Sequence, residues 1–184
     1  MLVPTVATLP LRPPTILAKA AASLDLLTEG RLRLGLGAGA FWDAIVAMDG
    51  PRRSPREAAD ALEEAVGVVR ALWSGERLVP VDGQYYHLSG VHPGPTPSRH
   101  LGIWLGAYGP RMLRLTGQAA DGWLPSLSYL PSTACARRSV VSTPPRSRPD
   151  EIPAASARCT TSTAPRRKHR SRDRLRSGSV NWSP

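Results

Sequence analysis

Apolar positions along the first 127 residues switch between a period of two and a helical period, and most switches fall at a proline or a glycine. Leu2 to Leu9 is dense in Val, Thr and Leu and ends among prolines, which predicts a short buried strand. Pro13-Pro14 suits a helix start, where a missing amide is tolerated. From there Ile16, Leu17, Ala20, Ala21, Leu24 and Leu27 keep helical spacing, and Gly30 stands just past their end as a left-handed cap. Leu32, Leu34 and Leu36 then alternate with Arg31 and Arg33, predicting a half-buried strand over 31–37. Residues 2–37 thus predict a strand–helix–strand unit, the parallel arrangement with a helical crossover.

The next helix is bounded most sharply. Ser54-Pro55-Arg56-Glu57 forms a capping box with proline at the first helical position. Ala58, Ala61, Leu62, Ala65, Val66, Val69, Leu72 and Trp73 make one apolar stripe, closed by Gly75. Glu57, Asp60, Glu63 and Glu64 fall off that stripe and are expected on a solvated face. Leu78 to Leu88 predicts a hairpin turning at Asp82-Gly83. Leu101–Leu105 predicts a strand, Pro110 to about Ala119 a helix, and Gly122–Leu127 a last strand. This alternation predicts an α/β fold, a barrel or a doubly wound sheet.

Charge divides the chain. Residues 1–131 carry 12 Lys+Arg against 11 Asp+Glu, whereas residues 132–184 carry 12 against 3. Two units are therefore expected: a body over 1–131 and a basic Arg/Ser/Pro-rich tail over 132–184. Both cysteines, Cys135 and Cys159, lie in the tail, which excludes a disulfide framework from the body. Apolar runs fall short of the roughly 20 residues that span a bilayer, and Met1–Pro10 lacks a basic leader. A cytoplasmic protein without a membrane partner is expected.

Two segments share one design. Gly37-Ala38-Gly39 and Gly106-Ala107-Tyr108-Gly109 each follow an apolar strand. Gly35, Gly37 and Gly39 are expected to clear side chains away from backbone amides that a ligand would approach. The second segment leads into a helix whose first turn, at Pro110-Arg111, presents amides and a positive dipole end to an anion. Arg111 is expected to add a charged donor.

Residues 14–43, with Leu-Ala-Lys-Ala-Ala-Ala-Ser-Leu-Asp-Leu-Leu-Thr-Glu-Gly-Arg and then Leu-Gly-Leu-Gly-Ala-Gly-Ala-Phe-Trp-Asp, resemble the bacterial luciferase-like monooxygenase family. The likeness continues through Ala61–Trp73, Gly83-Gln84-Tyr85-Tyr86 and Ile103–Pro110, and ends at Ala120-Asp121-Gly122-Trp123. It implies a (β/α)8 TIM barrel, here partial, and a flavin or deazaflavin cofactor, FMN or coenzyme F-420. It also implies a small-molecule substrate, with hydride transfer or oxygen activation as the reaction, and a possible homodimer. Position by position, it makes the backbone of Ala38 and Gly39 a cofactor-contacting loop. Gly106, Ala107, Tyr108 and Gly109 become the phosphate-holding loop, and the strand end near Thr5 a bulge behind the ring. Ala40 stands where several relatives carry an acidic side chain, so that proton-exchanging role is not inherited. Asp25 and Arg31 match the family pattern but are expected to be structural at the helix end, and His87 and His92 to be solvated. No catalytic residue and no metal ligand is assigned.

The resemblance also sets a length. The family's barrel takes roughly 250 residues, and its first two or three strands, with their ring-facing residues, precede the equivalent of Leu2. The expectation is a fragment with weak or no catalysis. For the tail, two readings stand. One is a disordered basic arm binding nucleic acid, an alternative that the body's lack of interleaved aromatic and basic residues disfavours. The other hypothesis is translation in a shifted frame. A GC-rich coding of residues 149–163, regrouped at each third base, gives Gly-Arg-Asp-Pro-Gly-Gly-Ile-Arg-Ala-Leu-Tyr-Asn-Val-Asn, which resembles the family's continuation. Stop codons in that alternative frame of the nucleotide sequence would refute it.

Overall fold

The computed structural model describes residues 1–126. Along the chain stand β1 (Ala7–Thr8), α1 (Pro14–Leu27), β2 (Arg33–Gly37), α2 (Trp42–Ala47), α3 (Pro55–Leu72), β3 (Val79–Asp82), β4 (His87–Val91), β5 (Gly102–Leu105), α4 (Pro110–Ala119) and β6 (Gly122–Trp123). The strands β1-β2-β5-β6 form one sheet in that order, every pair parallel, and β3-β4 form a separate antiparallel hairpin. The predicted crossovers are all present. The tail, its cysteines and the boundary at 131 lie outside the described residues.

The core lies between the sheet and the helices. Leu34 and Leu36 of β2 and Ile103 and Leu105 of β5 meet Leu17 and Ala21 of α1 and Leu62, Val66 and Val69 of α3. Strand β2 is not half-buried as its alternation predicted: Gly35 and Gly37 are buried along with the leucines. A central strand of a parallel sheet is covered on both faces, and alternation in the sequence does not reveal that second cover.

Three expectations need correction. The stretch Leu2–Leu9 is not one continuous strand: Leu2 bridges Leu32, and pairing resumes only where Ala7 faces Leu36. Five residue steps there run against four on β2, so one extra residue bulges out between Leu2 and Ala7. In α1 the apolar stripe splits. Leu17 and Ala21 are buried, whereas Ile16, Leu24 and Leu27 are 57%, 48% and 79% exposed. The helix packs chiefly on α3, and a stripe spanning a wider arc leaves one flank exposed. Finally, the hairpin does not turn at Asp82-Gly83, because Asp82 pairs with His87 and the loop takes Gly83–Tyr86.

That longer loop is held by a side chain expected in solvent. The Glu64 carboxylate of α3 accepts hydrogen bonds from the amides of Gln84 (3.1 Å), Tyr85 (3.0 Å) and Tyr86 (2.8 Å). The capping box forms as predicted: Ser54 Oγ accepts from the Glu57 amide, and the Ser54 amide donates to Glu57. That Ser54 amide, with the Ser54 hydroxyl, holds the Glu57 carboxyl below the usual carboxylate range. Helix α2 has no counterpart in the sequence reading. It is short, has no side-chain cap and buries only Ile45.

At the N-terminal end of the sheet two carboxylates tie elements together. Asp121 accepts from the Ile103 amide (2.7 Å) and Arg70 (2.6 Å), with His100 Nε2 at 2.9 Å. Burial pushes its carboxyl up, but these partners more than offset burial and leave it below the ordinary range. Asp25, fully buried, accepts from the Ser98 amide (3.0 Å) and hydroxyl (2.9 Å). Among the described residues no helix is long and apolar enough to cross a membrane.

Candidate functional site

Strands β2 and β5 are neighbours with Leu36 opposite Leu105. Both glycine-bearing turns therefore leave the same, C-terminal, end of the sheet side by side, and the Gly106 amide donates to Leu36 carbonyl at 3.0 Å. The structure thus brings 37–39 and 106–109 together. In open and barrel α/β folds this end of the strands is where ligands bind.

The glycines of β2 itself have another cause. A Cβ on Gly35 would sit 1.9 Å from the Pro4 carbonyl oxygen, and one on Gly37 would sit 2.5 Å from Val6 Cγ2. Both positions are glycine so that the bulged segment 3–6 can lie against them. The expected clearing of space for a ligand does not apply to these two. Val6 also reaches Gly106, 3.3 Å from where its Cβ would be, so one side chain packs under both turns. Val6 was missed in the sequence because nothing in a local pattern marks a bulge. Thr5 lies inside that bulge, exposed and ahead of β1, rather than at a strand end; its peptide bond to Val6 is cis.

Beyond β2 the turn is packed as well, and Gly39 too is bare because neighbours occupy the place of its side chain. Ala38 is half-buried against the core. Gly39 has φ +113°, a conformation that favours glycine, and a Cβ there would meet the Trp42 ring at 2.8 Å and Pro10 at 3.0 Å. Trp42 is a second residue the sequence reading did not single out as part of this site. Ala40 is exposed and has no proton to exchange.

In the second turn the four positions divide by role. The Gly106 amide is used within the sheet, and the buried Ala107 carbonyl accepts from Trp123 Nε1 at 2.8 Å. Tyr108 Oη accepts from the Ser126 amide at 2.8 Å. Gly109 is exposed, caps α4, and a Cβ built on it would meet nothing within 4 Å. The first-turn amides of α4, which a helix leaves without intrahelical partners, begin just beyond it. The space where a side chain on Gly109 would stand is open. Arg111 does not serve as expected: its guanidinium binds Asp60, with Glu63 at 3.7 Å, and the Asp60 hydrogen bond raises its pKa. Two carboxylates already neutralise it.

The remaining candidates sit elsewhere. Asp25 and Arg31 are structural: Arg31 Nε donates to the Thr28 carbonyl at 2.9 Å at the end of α1. His87 is exposed beside Asp82, 3.1 Å away, and His92 is exposed after the hairpin.

Known proteins are similar to this chain in sequence and fold. The phthiodiolone/phenolphthiodiolone dimycocerosates ketoreductase of Mycobacterium sp. (strain JLS) is 39% identical over 125 residues, 66% of this chain and 32% of its own length. The F420-dependent glucose-6-phosphate dehydrogenase of Gordonia bronchialis is 33% identical over 112 residues, 60% of this chain and 33% of that protein. The chain spans about a third of the length of these relatives. Among solved structures, an F420-dependent secondary alcohol dehydrogenase in complex with an F420-acetone adduct superposes with a TM-score of 0.65. At 22% identity, covering 75% of this chain and 43% of that one, it shows the fold: this α/β unit is part of a TIM barrel. The family model of luciferase-like monooxygenases matches residues 1–158, and with the strand order and paired turns described above, the chain belongs to that family.

Proposed function

We propose that the chain carries the phosphate-holding part of a luciferase-like oxidoreductase that uses FMN or coenzyme F-420 on a small organic substrate. The observation that carries this reading is the pairing of the two turns at one end of the sheet, with open space over Gly109. The F420-dependent naming of a relative 33% identical supports the deazaflavin. When bound, the ring supplies hydride transfer, or reaction with oxygen in the monooxygenase branch.

The chain's own residues bind and position. The Gly109 region and the first turn of α4 donate amides to the phosphate, aided by the helix dipole. Ala38 and Gly39 offer backbone to the cofactor, while the bulge at Thr5 and Val6 backs the ring and keeps water from it. Ala107 and Tyr108 hold the loop's shape through Trp123 and Ser126. Ala40 offers only a methyl group and moves no proton in this reading. Binding without turnover is the expected behaviour. Location in the cytoplasm, and a tail whose arginines reflect a shifted frame rather than a nucleic-acid partner, belong to the same reading.

The test is a fluorescence titration of the full chain with FMN and with coenzyme F-420. Saturable binding that inorganic phosphate competes away, and that Gly109→Asp weakens at least tenfold, is expected. Binding of neither cofactor, or binding indifferent to Gly109→Asp, overturns the cradle. Turnover at ordinary enzyme rates, about 1–1,000 per second, overturns the reading of an inactive fragment.

A further inference from the structure

We propose that a cleft at the N-terminal end of the sheet, away from the two turns, binds a small dianion of the phosphate type. The cleft has a volume of about 300 Å³, at the lower end of the range for small-molecule sites. Arg70 and Trp73 line it from the end of α3, and Thr96, Arg99 and His100 line it from the segment that leads into β5. Charge selects the ligand. Two guanidinium groups and an imidazole meet there, and the carboxylate paired with them is Asp121. Both of its oxygens are taken, Oδ2 by Arg70 and the Ile103 amide and Oδ1 by His100. Arg99 pairs with no carboxylate among the described residues, and its hydrogen bond goes from Nη2 to the neutral Glu29 carbonyl at 2.8 Å. The cleft therefore keeps an excess positive charge. The negative end of α3 opposes it with only about half a charge. A dianion gains twice the attraction of a monoanion from that excess. Nε and Nη1 of Arg99 and the Thr96 hydroxyl, which makes no hydrogen bond among the described residues, are the donors left for it.

These groups are held before a ligand arrives. Asp25, fully buried, fixes Ser98 through two hydrogen bonds, and the next residue, Arg99, lays its guanidinium on Gly30. Gly30 has φ +76°, and a Cβ there would collide with Arg99 Nε, so the bare backbone is what lets the arginine lie in this place. Trp73 Nε1 donates to the Ala18 carbonyl at 3.0 Å, which sets the indole as one wall. Fixed donors lose little freedom on binding, and that lowers the cost of taking up the ion. The cleft shares no residue with the cradle and stands independently of it.

The experiment is a nuclear magnetic resonance titration of the full chain with inorganic phosphate at fixed ionic strength, without cofactor. The His100 ring and the Trp73 indole N–H should shift together and saturate. Arg99→Gln should raise the dissociation constant at least tenfold with unchanged circular dichroism, because Arg99 is exposed. Acetate, a monoanion, should bind at least tenfold more weakly than phosphate. Phenyl phosphate tells the two sources of such a dianion apart: tighter binding than inorganic phosphate assigns a phosphate ester, weaker binding the free ion, and either supports the site. Shifts that never saturate overturn the proposal, as do an Arg99→Gln chain that binds like the parent and acetate that binds as well as phosphate. Gly109→Asp should leave the titration unchanged. If it abolished the shifts, the phosphate would sit in the cradle and the cleft would be refuted, whereas failure of the cradle alone leaves the Arg99-dependent shifts in place.

Discussion

The two ends of the parallel sheet are built from different materials. At the N-terminal end charged side chains do the joining: Asp121 links Ile103, Arg70 and His100, and Asp25 anchors Ser98. At the C-terminal end the joints are backbone carbonyls and glycine, and Gly109 faces open space. The contrast separates stability from access. Side chains serve structure at the first end, while in the proposed reading the opposite end stays bare for a ligand. The glycines obey the same division. Gly35 and Gly37 are bare because Pro4 and Val6 lie on them, whereas Gly109 is bare with nothing there at all.

The largest test of this contrast is Gly35→Ala. Its Cβ would fall 1.9 Å from a backbone oxygen, which cannot swing aside. A loss above about 3 kcal/mol is expected, read from a denaturant melt; an unchanged midpoint would return this glycine to the ligand side of the comparison. Next comes Asp121→Ala, which strips partners from Arg70 and the Ile103 amide and should cost about 2–3 kcal/mol. Its sign with pH follows from the lowered folded-state value. The stabilisation is fully present above the unfolded carboxyl pKa of about 3.9 and disappears as pH falls through the lower folded value. The variant's melting profile should therefore be flatter than the parent's in strong acid.

Smaller effects sharpen the picture. Glu64→Ala should free the 83–86 loop and cost about 1.5–3 kcal/mol at the low end of that range, because the carboxylate is half-buried. Proteolysis should then cut at Tyr85 or Tyr86. Smallest is Gly109→Ala, about 0.5–1 kcal/mol from a poorer cap. Its Cβ meets nothing, so any marked fall in cofactor affinity would come from the occupied space. If Gly109→Ala proved as damaging as Gly35→Ala, the two ends would not differ as described.

Much of the fold was legible in the residues. Helices α1, α3 and α4 start at the prolines that the sequence marks, and α4 ends at Ala119 as its pattern predicts. The resemblance to luciferase-like monooxygenases and the partial barrel were legible too, in motifs spread over the whole body. Of the candidate site, the sequence marks the two glycine turns that the structure sets side by side, yet it points Arg111 at a ligand and Glu64 at solvent. Each of these errors concerns a long charged side chain, whose partner lies tens of residues away: Asp60 for the one, the hairpin loop for the other. Local spacing carries no record of such a partner.

Periodicity, prolines and glycines by themselves determined where each helix and most strands lie, since those signals act through the chain's own dihedrals and spacing. Only the tertiary structure decided what each glycine is for. A missing side chain reads the same in a sequence whether a neighbour fills its place or nothing does. The bulge before β1 shows the same limit, because one extra residue exists only relative to the strand beside it. Registers, covers and vacancies are relations between segments, and they come into being when the chain packs.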